Sequence, residues 1–270
     1  MQWRALHLNS IRYAWLDKYE ISSTACTGLN FARHSHDECV IGVNLLGEEK
    51  VWLDRRTFSA GAGNITLYNP GQIQGGGAAP GTPWRFVSLY VSAGQLATDL
   101  GLEPLEFGRA LCYQPQLAEK FARAVEQSLL PDPLLRAIAE ETLVVLLGEI
   151  VALSGLRLPG TAAVGRGLVN RTQEIIAERL QAPQSLEELS DEFGLSKFHL
   201  LRAFQRETGL SPRQWAMQLR TRRAQGLLRN GAAPGDIAYT LGFTDQSHLN
   251  RHFKAAYGLT PGRYQSAVKR

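Results

Sequence analysis

The chain has 270 residues, 44% of them hydrophobic and 20% charged, with a net charge of +4; that is enough for about two domains, each able to bury its own core. Cys26, Cys39 and Cys112 are odd in number and lack CxxC spacing, which excludes a disulfide scaffold and leaves reduced thiols packed as small hydrophobes. The charge is uneven: residues 1 to 160 carry 13 Lys and Arg against 16 Asp and Glu, whereas residues 161 to 270 carry 16 against 9, as expected of a nucleic-acid-binding module joined to a sensing or assembly module.

The N-terminus, "MQWRALHLNSIRYAWLD", lacks the apolar core and cleavage site of a signal peptide. The longest apolar run, "TLVVLLGEIVALSG", is broken by Glu149 and is too short to span a bilayer. A cytoplasmic protein with no membrane partner is expected. The first ninety residues then read as short strands at regular spacing: "GLNFARHSHDE", "VIGVNLLG", "EKVWLDRRTFSAGAG", "NITLYNPG" and "WRFVSLYVS". Such spacing predicts a small double-sheet barrel. Before the last of them, "GQIQGGGAAPGTP" has the Gly and Pro content of a mobile loop and none of the context of a phosphate cradle.

From Pro115 the periodicity becomes helical, with one helix expected near residues 116 to 129 and a second over residues 133 to 153 after the start signal "PDP". The second is apolar over more of its surface than one neighbour buries: a core helix, or one that also pairs with its copy in a homodimer. Residues 154 to 167, "SGLRLPGTAAVGRG", read as a linker. This divides the chain into residues 1 to 153, a linker of 154 to 167, and residues 168 to 270.

The last segment contains a partial copy of itself. "HLLRAFQRETGLSPRQW" from His199 and "HLNRHFKAAYGLTPGRY" from His248 share their pattern at an offset of 49. Each is preceded by a short apolar helix and a glycine, Gly194 or Gly242, where the chain must turn sharply into the next helix. Ser196 and Asp245 read as N-caps. Leu200 with Phe204, and Leu249 with Phe253, are four apart and form the buried stripe of each second helix. That leaves Lys197, Phe198, His199, Leu201 and Arg202 in the first copy, and Gln246, Ser247, Asn250 and Arg251 in the second, for a major groove. Arginine can bridge guanine O6 and N7, and Gln or Asn can bridge adenine N6 and N7. The long helix between the copies offers Arg220, Arg222 and Arg223 for phosphates.

Residues 168 to 265, and above all "DIAYTLGFTDQSHLNRHFKAAYGLTPGRY", resemble the DNA-binding domain of the AraC/XylS family of bacterial transcription regulators. The resemblance implies two helix-turn-helix units held by a long helix and inserted into successive major grooves of double-stranded operator DNA, with RNA polymerase as a further partner of an activator. "RHSHDECVIGV" with the later "LYNPGQIQ" resembles the cupin-like effector-binding domain that many of these regulators carry. The implied fold class is α+β with two domains: a cupin-like β-barrel with C-terminal helices, then an all-α double helix-turn-helix domain.

"HSHDE", residues 34 to 38, raises the question of a metal. Imidazole and carboxylate are common metal ligands. His34 and His36 keep the spacing of the first cupin motif, but Val40 and Ile41 stand in place of its glutamate and Gln74 in place of the later histidine. His34, His36, Glu38 and Gln74 are therefore expected to line a small-molecule effector pocket, ahead of an inert polar patch, with a metal site third. No cofactor, metal or catalytic set is expected. The rival readings are a metal-dependent cupin enzyme with a DNA-binding tail and an effector-independent DNA-binding protein.

Overall fold

The computed structural model describes residues 10–16, 18–103, 106–155, 167–182 and 184–268, the side chains of Phe198 and His199 excepted. The expected linker falls almost wholly outside the described residues. The strands are β1 (Ser10–Leu16), β2 (Tyr19–Thr27), β3 (Asn30–His34), β4 (Cys39–Leu46), β5 (Glu49–Leu53), β6 (Arg56–Ala60), β7 (Asn64–Tyr68), β8 (Gln74–Ala78) and β9 (Pro83–Val91), followed, after helix α1 (Ala93–Leu100), by β10 (Leu111–Tyr113). They pair into two sheets, β1-β2-β9-β4-β7-β10 and β3-β8-β5-β6. The barrel expected from strand spacing is thus two facing sheets and not a closed cylinder.

Two further local expectations are corrected. "EKVWLDRRTFSAGAG" is a hairpin, β5 and β6, whose two-residue turn places Asp54 (φ 45°) and Arg55 (φ 73°) in the left-handed region. The glycine-rich stretch expected as a mobile loop holds β8, which pairs with both β3 and β5. A side chain on Gly76 would collide with the carbonyl of Lys50, and one on Gly77 with that of Leu29. Glycine here admits close strand approach; its frequency in loops misdirects the reading.

The larger sheet shows the period of two that strands impose. Ile21, Ile41, Ile65, Leu67, Val87, Leu89 and Val91 share a core with α2 (Pro115–Ser128) and α3 (Pro133–Leu153). The alternate residues Thr24, Val40, Thr66, Tyr68, Phe86, Ser88 and Tyr90 face the other way, into a cavity between the sheets. α2 begins one residue before the predicted start; α3 matches its predicted span, its N-terminus capped by Asp132, which accepts from the amides of Leu134 and Leu135.

The C-terminal region is all helix: α4 (Gly167–Glu178), α5 (Leu186–Glu192), α6 (Lys197–Thr208), α7 (Pro212–Arg229), α8 (Pro234–Thr240), α9 (Gln246–Tyr257) and α10 (Pro261–Val268). The repeat becomes α5-turn-α6 and α8-turn-α9. Gly194 (φ 61°) and Gly242 (φ 71°) occupy the left-handed turns. Leu200, Phe204, Leu249 and Phe253 are fully buried, and the Asp245 carboxylate caps α9 by accepting from the amide of His248. Among the described residues no helix is long and apolar enough to cross a membrane.

Candidate functional site

The cavity encloses about 70 Å³ and is walled by both sheets and by Ala256 and Tyr257 at the C-terminal end of α9. Of the residues expected at a ligand site, His34, His36 and Gln74 line it. The neutral His34 ring donates from Nδ1 to the carbonyl of Ala32 at 2.7 Å, so its Nε2 must accept from Nε2 of His36, 3.1 Å away. His36 Nδ1 is then a buried acceptor with no partner among the described residues. Burial holds both rings neutral: it lowers His34 to about 4, and lowers His36 well below the ordinary histidine value, helped by His34 and by Arg229 and Arg222. Both rings also meet the ring of Tyr257, with centroids 5.4 Å apart. Among the described residues no third His, Cys, Asp or Glu joins them in a metal-binding cluster.

Glu38 is a correction. It does not line the cavity but pairs with Arg229 of α7. The odd-numbered neighbours turn the same way. Ser35 Oγ accepts from Gln218 and, at 3.1 Å, from Arg222, while Asp37 pairs with Arg222 at 3.0 Å. Arg229 also reaches Glu20 of β2 at 2.8 Å, and Tyr264 of α10 donates to the same carboxylate oxygen at 2.7 Å. Burial raises the Glu20 carboxyl, against the pull of Arg229 and the Tyr264 hydroxyl. "HSHDE" is therefore two-sided: its histidines face the cavity, and Ser35, Asp37 and Glu38 bind α7 of the helical domain. Sequence reasoning missed this seam, because Glu20, Ser35, Gln218 and Arg229 are surface types in composition, yet the first three are buried and Arg229 half-buried where the domains meet.

On the helical domain, Lys197 and Arg202 of α6 and Gln246, Ser247 and Arg251 of α9 are exposed, and Asn250 is half-exposed. Lys197 also pairs with Glu187 at 2.8 Å. Leu201 instead looks into a cleft between the two units that His248 also lines. The side chains of Phe198 and His199 lie outside the described residues. Arg223 is exposed, but Arg220 is not available to a phosphate. It is 6% exposed, and its guanidinium donates to the carbonyl of Leu180 at 2.8 and 2.9 Å and to that of Gln181 at 3.3 Å, just past the end of α4. It satisfies carbonyls that a helix end leaves open.

Two facing sheets around a cavity, with a double helix-turn-helix domain seated against them, define a ligand-binding transcription regulator. A profile for the AraC-like ligand binding domain matches residues 19–147, and one for a helix-turn-helix domain matches residues 189–267. The chain belongs to the AraC family of DNA-binding transcription regulators. It is similar to the Msm operon regulatory protein of Streptococcus mutans, 23% identical over 90% of this chain and 89% of that one. It is also similar to the HTH-type transcriptional regulator YbfI of Bacillus subtilis, 26% identical over 81% of each. The crystal structure of ToxT from Vibrio cholerae shares the fold, with a TM-score of 0.55 at 12% identity over 93% of this chain and 98% of that one.

Proposed function

We propose that this regulator reads an effector directly through the docked helix α9, acting as a cytoplasmic homodimer without catalysis, and that an activating form would meet RNA polymerase at the promoter. The domains are residues 1 to 153 and 168 to 270. Lys197, Phe198, His199, Arg202, Gln246, Ser247, Asn250 and Arg251 are the proposed operator contacts, with Arg223 on phosphate; His34, His36 and Gln74 are the proposed effector contacts.

The observation that carries this reading is that Ala256 and Tyr257 belong to the second helix-turn-helix unit and are also wall of the cavity. A cavity of about 70 Å³ is smaller than the ~150 Å³ that holds a benzene ring. A ligand of metabolite size enters only if a wall moves. The sheet walls are tied by strand ladders, whereas the α9 wall is held by side-chain contacts to another domain. The ligand then prefers one docking arrangement over another, which is what coupling requires.

Tyr257→Leu tests it. The full chain carrying this change is expected to bind operator DNA specifically while losing most of its response to the effector, read by gel shift with and without effector. A wild-type response in that variant refutes the route through α9.

A further inference from the structure

We infer that the ligand of the two-sheet cavity carries no negative charge and donates a hydrogen bond to Glu49, an acidic anchor that nothing in the sequence motifs marks. This rests on the reading of the cavity as an effector pocket and adds the chemical class of the effector.

Glu49 begins β5, and with Val51 and Leu53 it belongs to the strand face that looks toward the other sheet. Its neighbours across the sheet in register are Ala60 and Ala78. Two methyl groups flank a carboxylate and leave it to the cavity. Beside it stands Asn44, which hydrogen-bonds the Glu49 side chain, while its Nδ2 also donates to the carbonyl of Ala60 at 2.9 Å and its Oδ1 accepts from the Trp84 indole at 2.9 Å.

Among the described residues that line the cavity there is no Lys or Arg. The guanidiniums nearest His36, those of Arg222 and Arg229, are taken up by Asp37, Glu38 and Glu20. The two histidines are held neutral by burial. An anion entering here would give up its hydration beside a carboxylate and meet no cation, a cost that the cavity has nothing to offset. A donor gains instead. Burial raises Glu49 to about 7, against the hydrogen bond from Asn44, so an ammonium or hydroxyl that bonds it adds a donor to a poorly solvated group. The remaining lining suits the same ligands: Thr24, Thr66 and Ser88 supply hydroxyls, and the rings of Phe31, Trp84 and Phe86 supply faces for a cation or for C–H groups.

The test is calorimetric titration of the full chain at pH 8 with three sets of probes: glucosamine, choline and putrescine; glucose, xylitol and myo-inositol; gluconate, citrate and glucose 6-phosphate. Saturable binding is expected within the first two sets only. A hit among the amines assigns an ammonium partner to Glu49, and one among the polyols a hydroxyl. Glu49→Gln is expected to weaken that binding by about tenfold or more, the usual worth of a hydrogen bond to a charged group. Binding confined to the anions overturns the inference and leaves the effector-pocket reading standing. Unchanged affinity in Glu49→Gln overturns the role of Glu49. No binding by any probe rejects the effector pocket itself, and the inference with it. The charge pattern of the hits is read on the wild-type protein, so the test does not depend on how the variant folds.

Discussion

At the scale of single residues, the seam between the domains sets a buried carboxylate, Glu20, beside the half-buried Arg229 and Glu38, and the three are only partly satisfied. Arg229 is flanked by Glu20 and Glu38, yet Glu20 Oε1, Glu38 Oε2 and Arg229 Nη2 have no hydrogen-bond partner among the described residues. Removing one member strands the others, and breaking a buried pair typically costs about 3–5 kcal/mol. Arg229→Met is therefore expected to lower unfolding stability by about that amount in urea denaturation; a loss below ~1 kcal/mol, the range of surface pairs, would show the cluster to be solvated. Acid acts on two other groups with opposite signs. His34, lowered to about 4 in the fold from an unfolded value near ~6.5, binds protons more readily when unfolded, so it removes stability as pH falls between those values. Glu49, raised to about 7, binds its proton more readily when folded, so it adds stability as pH falls from about 7 toward the unfolded value of ~4.3. The slopes oppose each other over much of the same window. Glu49→Gln removes the second, and the melting temperature of that variant is expected to drop more steeply than the wild type between pH 7 and pH 5. Parallel curves would place Glu49 in water.

Among the elements, legibility follows how local the determinants are. The pair α5-α6 and α8-α9 is readable because glycine turns, caps and four-residue apolar spacing are all written within a dozen residues, twice over. β1 and β2 are not, because β2, "YEISSTACT", is almost wholly buried while half polar. Glu20 is committed to α7 and α10, and Thr24 to the cavity, neither of which is near in sequence. β8 is hidden behind its glycines, and Arg220 looks like a phosphate contact because arginine is ordinarily a surface residue. Of the pocket, His34, His36 and Gln74 are legible through motif spacing. Glu49 is not, since only the register of β5 shows where it points. For the recognition helices, exposed Arg202 on α6 and Arg251 on α9 lead to a direct expectation. Arg202→Ala and Arg251→Ala should each relax base preference in one segment of the operator by ~1–3 kcal/mol, the two segments lying about one turn of DNA apart. Selection of bound sequences from a random pool checks it; equal losses on specific and random DNA would make both arginines phosphate contacts.

In the whole molecule, the helical domain docks on one side of the two-sheet domain, through β1, β3 and the "HSHDE" stretch, while α2 and α3 cover the opposite face of the larger sheet. The seam and the helical pair therefore make separate demands on the chain. α3 buries Leu143, Leu146, Leu147 and Ile150 against the sheet and α2, but leaves Leu134, Ile138 and Val145 at 68%, 48% and 64% exposure. These three are spaced by four and seven residues and so share a stripe along the helix. Exposed side chains of this kind in one line are costly in water and are relieved by a second apolar surface. The same stripe on another copy supplies one, since a two-fold interface matches a surface with itself. Such a pairing, on the face of the larger sheet opposite the helical domain, would leave the cavity and the exposed residues of α6 and α9 uncovered, so a dimer would present two cavities and two double helix-turn-helix domains. Val145→Glu places a charge in the middle of the stripe without touching the sheet core. The wild-type chain is expected to sediment as a dimer at micromolar concentration and the variant as a monomer, both with the same melting cooperativity. On DNA, the variant should keep its contacts to a single site and lose the gain in affinity that two linked sites give the wild type. A wild-type chain that sediments as a monomer would return α3 to the role of a core helix with an exposed edge.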